Sequence, residues 1–141
     1  MAGVPVLEID STGRGSNVPD DFQTITFGLT EATIDNVDSP IIYYAERDTV
    51  IDSAVFIAGD TDTSAVSFIL KSCTSGQDVE SAGTAFTTSI TSFTANVPVL
   101  ATIDTDNNII PAGSFVACDI GDTSSAINSM LIQMRIRTRI G

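Results

Sequence analysis

The chain contains no histidine and no tryptophan, and its one lysine is Lys71. Without histidine there is no imidazole-based triad, no His metal ligand and no ordinary acid–base group titrating near neutral pH. Basic residues are scarce altogether: six Lys+Arg stand against 18 Asp+Glu, a formal net charge of −12 over 141 residues. Neutralising phosphates takes clustered Lys and Arg, so a nucleic-acid partner is not expected. No apolar run approaches the ~20 residues of a membrane helix, so no membrane partner is expected either. The first residues, Met-Ala-Gly-Val-Pro-Val-Leu-Glu, show neither the basic stretch nor the long apolar run of a signal peptide. Two cysteines, Cys73 and Cys118, are too few for a disulfide framework, and neither lies in a C-x-x-C motif. With no histidine to activate it, neither is a good nucleophile. No cofactor is implied, and no catalytic residue.

What is abundant is β-branched. Ile (17), Val (11) and Thr (18) make up about a third of the chain, whereas Leu occurs five times. Such side chains lose rotamer freedom in helices and fit the pleated surface of a sheet. The apolar share of 43% is enough for a core, and the length suits one domain. An all-β protein is expected.

Residues 1–21 read as an extended N-terminal arm, with Pro5, Pro19 and a Gly-Arg-Gly-Ser-Asn stretch at 13–17. It is either a loose terminus or an arm that docks on a neighbour, using the apolar Val4, Val6, Leu7 and Ile9. Residues 22–141 read as the folded domain. Gln23–Leu29 alternates, with Ile25, Phe27 and Leu29 on one face. Ile41–Ala45 is apolar on both faces, as in a central or interface strand. Thr49–Ile57 places Ile51, Val55 and Ile57 on one face and Asp52 on the other. Ser64–Cys73 sets Val66, Phe68 and Leu70 against Ser67 and Lys71. Phe86, Ile90 and Phe93 have helical spacing in a Thr/Ser-rich stretch, leaving strand, irregular chain or a short helix open. Val97–Ile103 and Ser114–Ile120 are strands, the second with Val116, Cys118 and Ile120 inward. In the last strand Met130, Ile132, Met134 and Ile136 face one way, with Ile140 beyond them; Gln133, Arg135, Arg137 and Arg139 face the other. About eight strands separated by short turns predict an antiparallel two-sheet β-sandwich of jelly-roll type.

Three constellations invite a chemical reading. Asp60-Thr61-Asp62 and Asp104-Thr105-Asp106-Asn107-Asn108 have the D-x-D spacing of calcium loops, but neither continues as an EF-hand, and Asp and Asn are common turn residues, so plain turns are expected and no metal. Eighteen acids place many carboxylates in pairs by chance, so no pair is singled out as a glycosidase centre. The third is Arg135, Arg137 and Arg139, three of the chain's six basic residues within its last seven positions. Like charges on one strand face need carboxylates opposite. These are either the chain's own or those of an acidic partner, the body of a sister subunit included. They are the candidate partner-binding residues.

The segment Val97–Gly121, VPVLATIDTDNNIIPAGSFVACDIG, runs strand, D-x-D-N-N turn, I-P-A-G-S corner and alternating strand. With the flanking Gly83–Ala95 stretch and the last strand, it resembles the small β-sandwich decoration, or cement, proteins of tailed-bacteriophage capsids. The likeness covers roughly residues 40–140. It implies a non-enzymatic virion structural protein, a homo-oligomer (dimer or trimer) that binds the major capsid protein on the outer surface of an icosahedral head assembled in the host cytoplasm, and bridges capsomers there. The alternative is a phage fibre, tail or glycan-binding β-sandwich module.

Overall fold

The structure, a computed structural model, describes residues 22–30, 34, 39–62, 67–121 and 127–139. The arm, Val66, the loop beyond Gly121 and Ile140 fall outside them. Among the described residues nine strands form two antiparallel sheets, in line with the expected number of about eight: β1 (Phe22–Thr30), β2 (Ile41–Tyr44), β3 (Thr49–Ala58), β4 (Phe68–Cys73), β5 (Thr84–Ala85), β6 (Val99–Leu100), β7 (Ile109–Ile110), β8 (Phe115–Ile120) and β9 (Ser129–Thr138). One sheet has the order β1-β9-β3-β6, with β7 also on β3; the other runs β2-β8-β4-β5. The architecture is an all-β, jelly-roll-like sandwich.

The core lies between the sheets. β1, β3 and β9 contribute Leu29, Phe56, Ile132 and Met134; β4 and β8 contribute Phe68, Leu70, Val116 and Cys118. Phe56, Phe68 and Phe93 meet in the middle, Phe68 and Phe93 edge-to-face with centroids 5.5 Å apart and Phe56 6.3 Å from Phe68. That is the favoured geometry for aromatic quadrupoles.

Phe86, Ile90 and Phe93 are all buried, as their spacing suggests, but on extended irregular chain rather than a helix. Isolated bridges tie it down: Thr87 to Ile103, Ile90 to Phe68 and Phe93 to Asp62. Threonine and serine favour extended backbone and supply local bonds, such as Thr87 Oγ1 accepting from the Leu70 amide at 3.0 Å. A short helix, α1 (Val79–Ala82), comes just before, capped by Asp78, whose carboxylate accepts from the Glu80 amide. It covers the outer face of the second sheet, burying Val79 with Cys73 and Ala117.

Two strand readings need correction. Of the two alternatives for Ile41–Tyr44, central or interface strand, the first does not hold: among the described residues it is an edge strand paired with β8 alone, with Ile41 and Tyr44 exposed. In β3, Ile51 does point inward, but Val55 and Ile57 do not. The β3–β9 register slips at Asp52: Ile51 pairs with Ile136 and Ser53 with Arg135. Asp52 is the extra residue of a bulge. Beyond it the inward parity moves to Ala54, Phe56 and Ala58, all fully buried.

Candidate docking surface

β9 is the spine of the first sheet, with β1 on one side and β3 on the other. Its even residues Met130, Ile132, Met134 and Ile136 are buried, so its odd residues occupy the outer face. Arg135 is exposed there, its guanidinium 4.1 Å from the ring centroid of Phe22 at the start of β1. Arg137 lies opposite Phe22 and Val50 in the two ladders. Its Nε donates to Asp52 Oδ2 at 3.1 Å, the bulge having turned that carboxylate onto this face. Arg139 is exposed just past the strand, held by its amide, which donates to the Asp48 carbonyl at 2.8 Å. Of the three arginines named from the sequence, only Arg137 has a carboxylate beside it among the described residues.

The topology adds a fourth arginine that linear reading had no means to find. Arg47 sits in the turn from β2 to β3, adjoining the Asp48–Arg139 backbone bond. With Tyr43, Tyr44, Glu46 and Thr138 it lines an open groove of about 440 Å³. Thr49 Oγ1 donates to the Arg47 carbonyl at 2.8 Å and fixes the turn. Four of the five basic residues among those described therefore gather on the C-terminal half of β9 and the turn beside it. The fifth, Lys71, is on the second sheet, its Nζ 2.7 Å from Asp119 Oδ2.

Along the same outer face the surface turns apolar. Gln133 is flanked by Val55, and Val55 by Leu100 on β6, which is 69% exposed. In the next row Gly28, Leu131 and Ile57 lie side by side. Among the described residues, nothing beyond its chain neighbours lies within 4 Å of where a Gly28 Cβ would be. The row forms part of a shallow depression of about 430 Å³. The face is thus graded from apolar to basic, on a chain of net charge −12.

The acidic turns are occupied by backbone duties. Asp104 Oδ1 accepts from the Asp106 amide and Oδ2 from the Asn107 side chain at 2.7 Å, bonds that hold its carboxyl below the usual range. Asp60 Oδ2 accepts from the Asn128 amide. Among the described residues no three His, Cys, Asp or Glu side chains converge as metal ligands. Both cysteines are free and buried. Cys118 faces the inter-sheet core, as its strand parity predicts, whereas Cys73 faces out beneath α1, so they lie on opposite faces of their sheet.

No family model and no curated protein sequence matches this chain. Two solved structures do resemble it. A chain from the capsid of Ralstonia phage GP4 aligns over 91% of this chain and 92% of its own, with a TM-score of 0.54 at 16% identity. A chain from the capsid asymmetric unit of cyanophage Pam1 aligns over 93% and 94%, with a TM-score of 0.47 at 14% identity. The first likeness is one of fold, and it spans nearly the whole of both chains.

Proposed function

We propose that this chain is a non-enzymatic structural protein of a tailed-phage head, which decorates the outer surface of the shell, binds the major capsid protein and bridges capsomers as a homo-oligomer. The observation that carries the reading is the end-to-end likeness of fold to a chain of the GP4 phage capsid. The outer face of the first sheet supports it. Arg135 and Arg139 present exposed guanidinium groups that pair bidentately with carboxylates, and the apolar rows beside them supply area for a dry contact. Many copies on one lattice give avidity, so each contact can be weak.

The test is co-sedimentation of the purified protein with heads that lack it. Saturable binding at a fixed ratio to shell subunits, with added heat resistance of the heads, is the expected result. The double variant Arg135→Glu/Arg139→Glu leaves the Asp52–Arg137 pair in place and should weaken binding at least tenfold. If wild-type protein fails to bind such heads, the reading is wrong.

The groove of Tyr43, Tyr44, Glu46 and Arg47 favours one other reading, a glycan-binding module, because an exposed tyrosine beside charged groups is a platform for a sugar. A glycan array with wild-type protein and a Tyr44→Ala variant tests it; a Tyr44-dependent signal with no binding to heads would put this reading first.

A further inference from the structure

Among the described residues, β1 is a sheet edge that no other strand covers. Among those residues it pairs with β9 alone, over nine consecutive positions without a register shift. Its sequence, FQTITFGLT, carries no charge and no proline. The other sheet edges are short: β2 has four residues and an irregularity, and β5, β6 and β7 have two each. Half of the amides and carbonyls of β1 point away from β9, and proteins ordinarily blunt so long and regular an edge with charge, proline or a covering segment. Its inward residues Ile25 and Phe27 are only half-buried, so the core is incompletely covered on this side.

We propose that residues 4–10 of a second copy of this chain, Val-Pro-Val-Leu-Glu-Ile-Asp, add to β1 as a tenth strand. The alternation fits a strand at this position. Leu7 and Ile9 share a parity and would extend the core face beside Ile25 and Phe27. Glu8 and Asp10 share the other and would fall on the outer face, beside Arg135. Pro5 has no amide to donate, so its parity points away from β1 and Val6 and Glu8 make the bonds. Residues 11–21 link segment and strand, and eleven extended residues span about 35 Å, far enough to reach a neighbouring body.

This deepens the proposed structural role and rests on it, but the test uses free protein, so failure of head binding and failure of strand donation read out separately. An isotope-labelled chain lacking residues 1–10 is equilibrated with unlabelled full-length chain, and amide exchange is followed in the labelled β1. The expected result is fast exchange of alternate amides between Phe22 and Leu29 in the truncated chain alone, slowed at least tenfold by the full-length donor. A Val6→Pro donor should not restore protection. A labelled full-length Val6→Pro acceptor repeats the measurement without truncation. Edge amides that exchange fast in intact protein, or that no donor protects, would overturn the proposal. So would protection in the full-length chain that persists unchanged when it is diluted to a monomer.

Discussion

Asp52 and Arg137 meet across the β3–β9 ladder, Oδ2 to Nε 3.1 Å, because a bulge places Asp52 on the same face as Ser53. The bulge also resets which side of β3 is buried. Ile51 and Ala54 are both fully inside although three positions apart, an odd step that a regular strand would put on opposite faces. Deleting Asp52 would therefore leave a regular ladder with Ile51, Ala54, Phe56 and Ala58 still inward. The deletion variant should fold, losing about 1–2 kcal/mol from the local rearrangement and the half-exposed ion pair. Deleting Val55 instead turns Phe56 and Ala58 outward if the bulge stays, or puts Ser53 inward and Ala54 outward if the bulge is lost, so it should destabilise more than deleting Asp52. Urea unfolding of the two variants separates these outcomes; equal damage would mean that the bulge is not what sets the register.

Lys71 anchors a small assembly on the other sheet. Its ammonium lies 2.7 Å from Asp119 Oδ2, with side-chain exposures of only 12% and 16%. It also donates to the Val79 carbonyl at 3.3 Å and the Glu80 carbonyl at 3.2 Å, near the C-terminal end of α1 where a cation is favourable. Lys71→Met removes the charge but keeps the stem, leaving Asp119 half-buried without its partner. A loss of about 2 kcal/mol is expected. Lys71→Met/Asp119→Leu should recover part of it. A double variant no better than the single one would show that the carbonyl contacts dominate.

Two glycines should respond oppositely to a larger side chain. Gly83 follows α1, and a Cβ there would lie 2.6 Å from the Val79 carbonyl oxygen and 2.9 Å from Cys73 Sγ. Gly83→Ala must displace α1 from the sheet, and more than 1 kcal/mol should be lost. Gly28 sits in β1 with open space above it, and threonine there gains strand propensity at no steric cost. Gly28→Thr should raise the free energy of unfolding by about 0.5–1 kcal/mol. If the outer face is a docking surface, the same variant should weaken head binding by filling the shallow depression. Thermal melts and co-sedimentation read the two effects independently.

Much of this was legible in the sequence because period-2 alternation survives wherever a strand is regular. β1, β8 and β9 obey it, and the burial of Leu29, Cys118 and Met134 follows directly. β3 escaped because a bulge shifts parity without leaving a mark in composition: Asp52-Ser53 looks like any polar pair. The irregular chain through Phe86 and Phe93 escaped because its burial is set by isolated bridges to distant residues, which carry no local period. Arg135, Arg137 and Arg139 could be singled out because they alternate along one strand. Arg47 could not, since only the β2–β3 turn folding back beside Arg139 brings it near them.

The cysteines report on how the two faces of the second sheet open. Burial pushes both thiols above their ordinary range, Cys118 far above and Cys73 less, its rise opposed by the Lys71 charge. A pKa higher in the folded chain than in the unfolded one means that the folded state holds the proton more tightly. The resulting contribution is complete below the ordinary thiol pKa and declines as pH rises above it. Stability should thus be level in thiol terms from about pH 6 to 8 and fall towards about pH 10. The alkaline loss should shrink in Cys118→Ala, which itself costs about 1 kcal/mol for the small cavity. Iodoacetamide labelling followed by peptide mass spectrometry should modify Cys73 first. Cys73 packs under Val79 of the four-residue α1, which should lift without breaking the sandwich, whereas Cys118 lies in the inter-sheet core and should react only on global unfolding. Equal labelling rates for the two thiols would mean that α1 and the sheets open together as one cooperative unit.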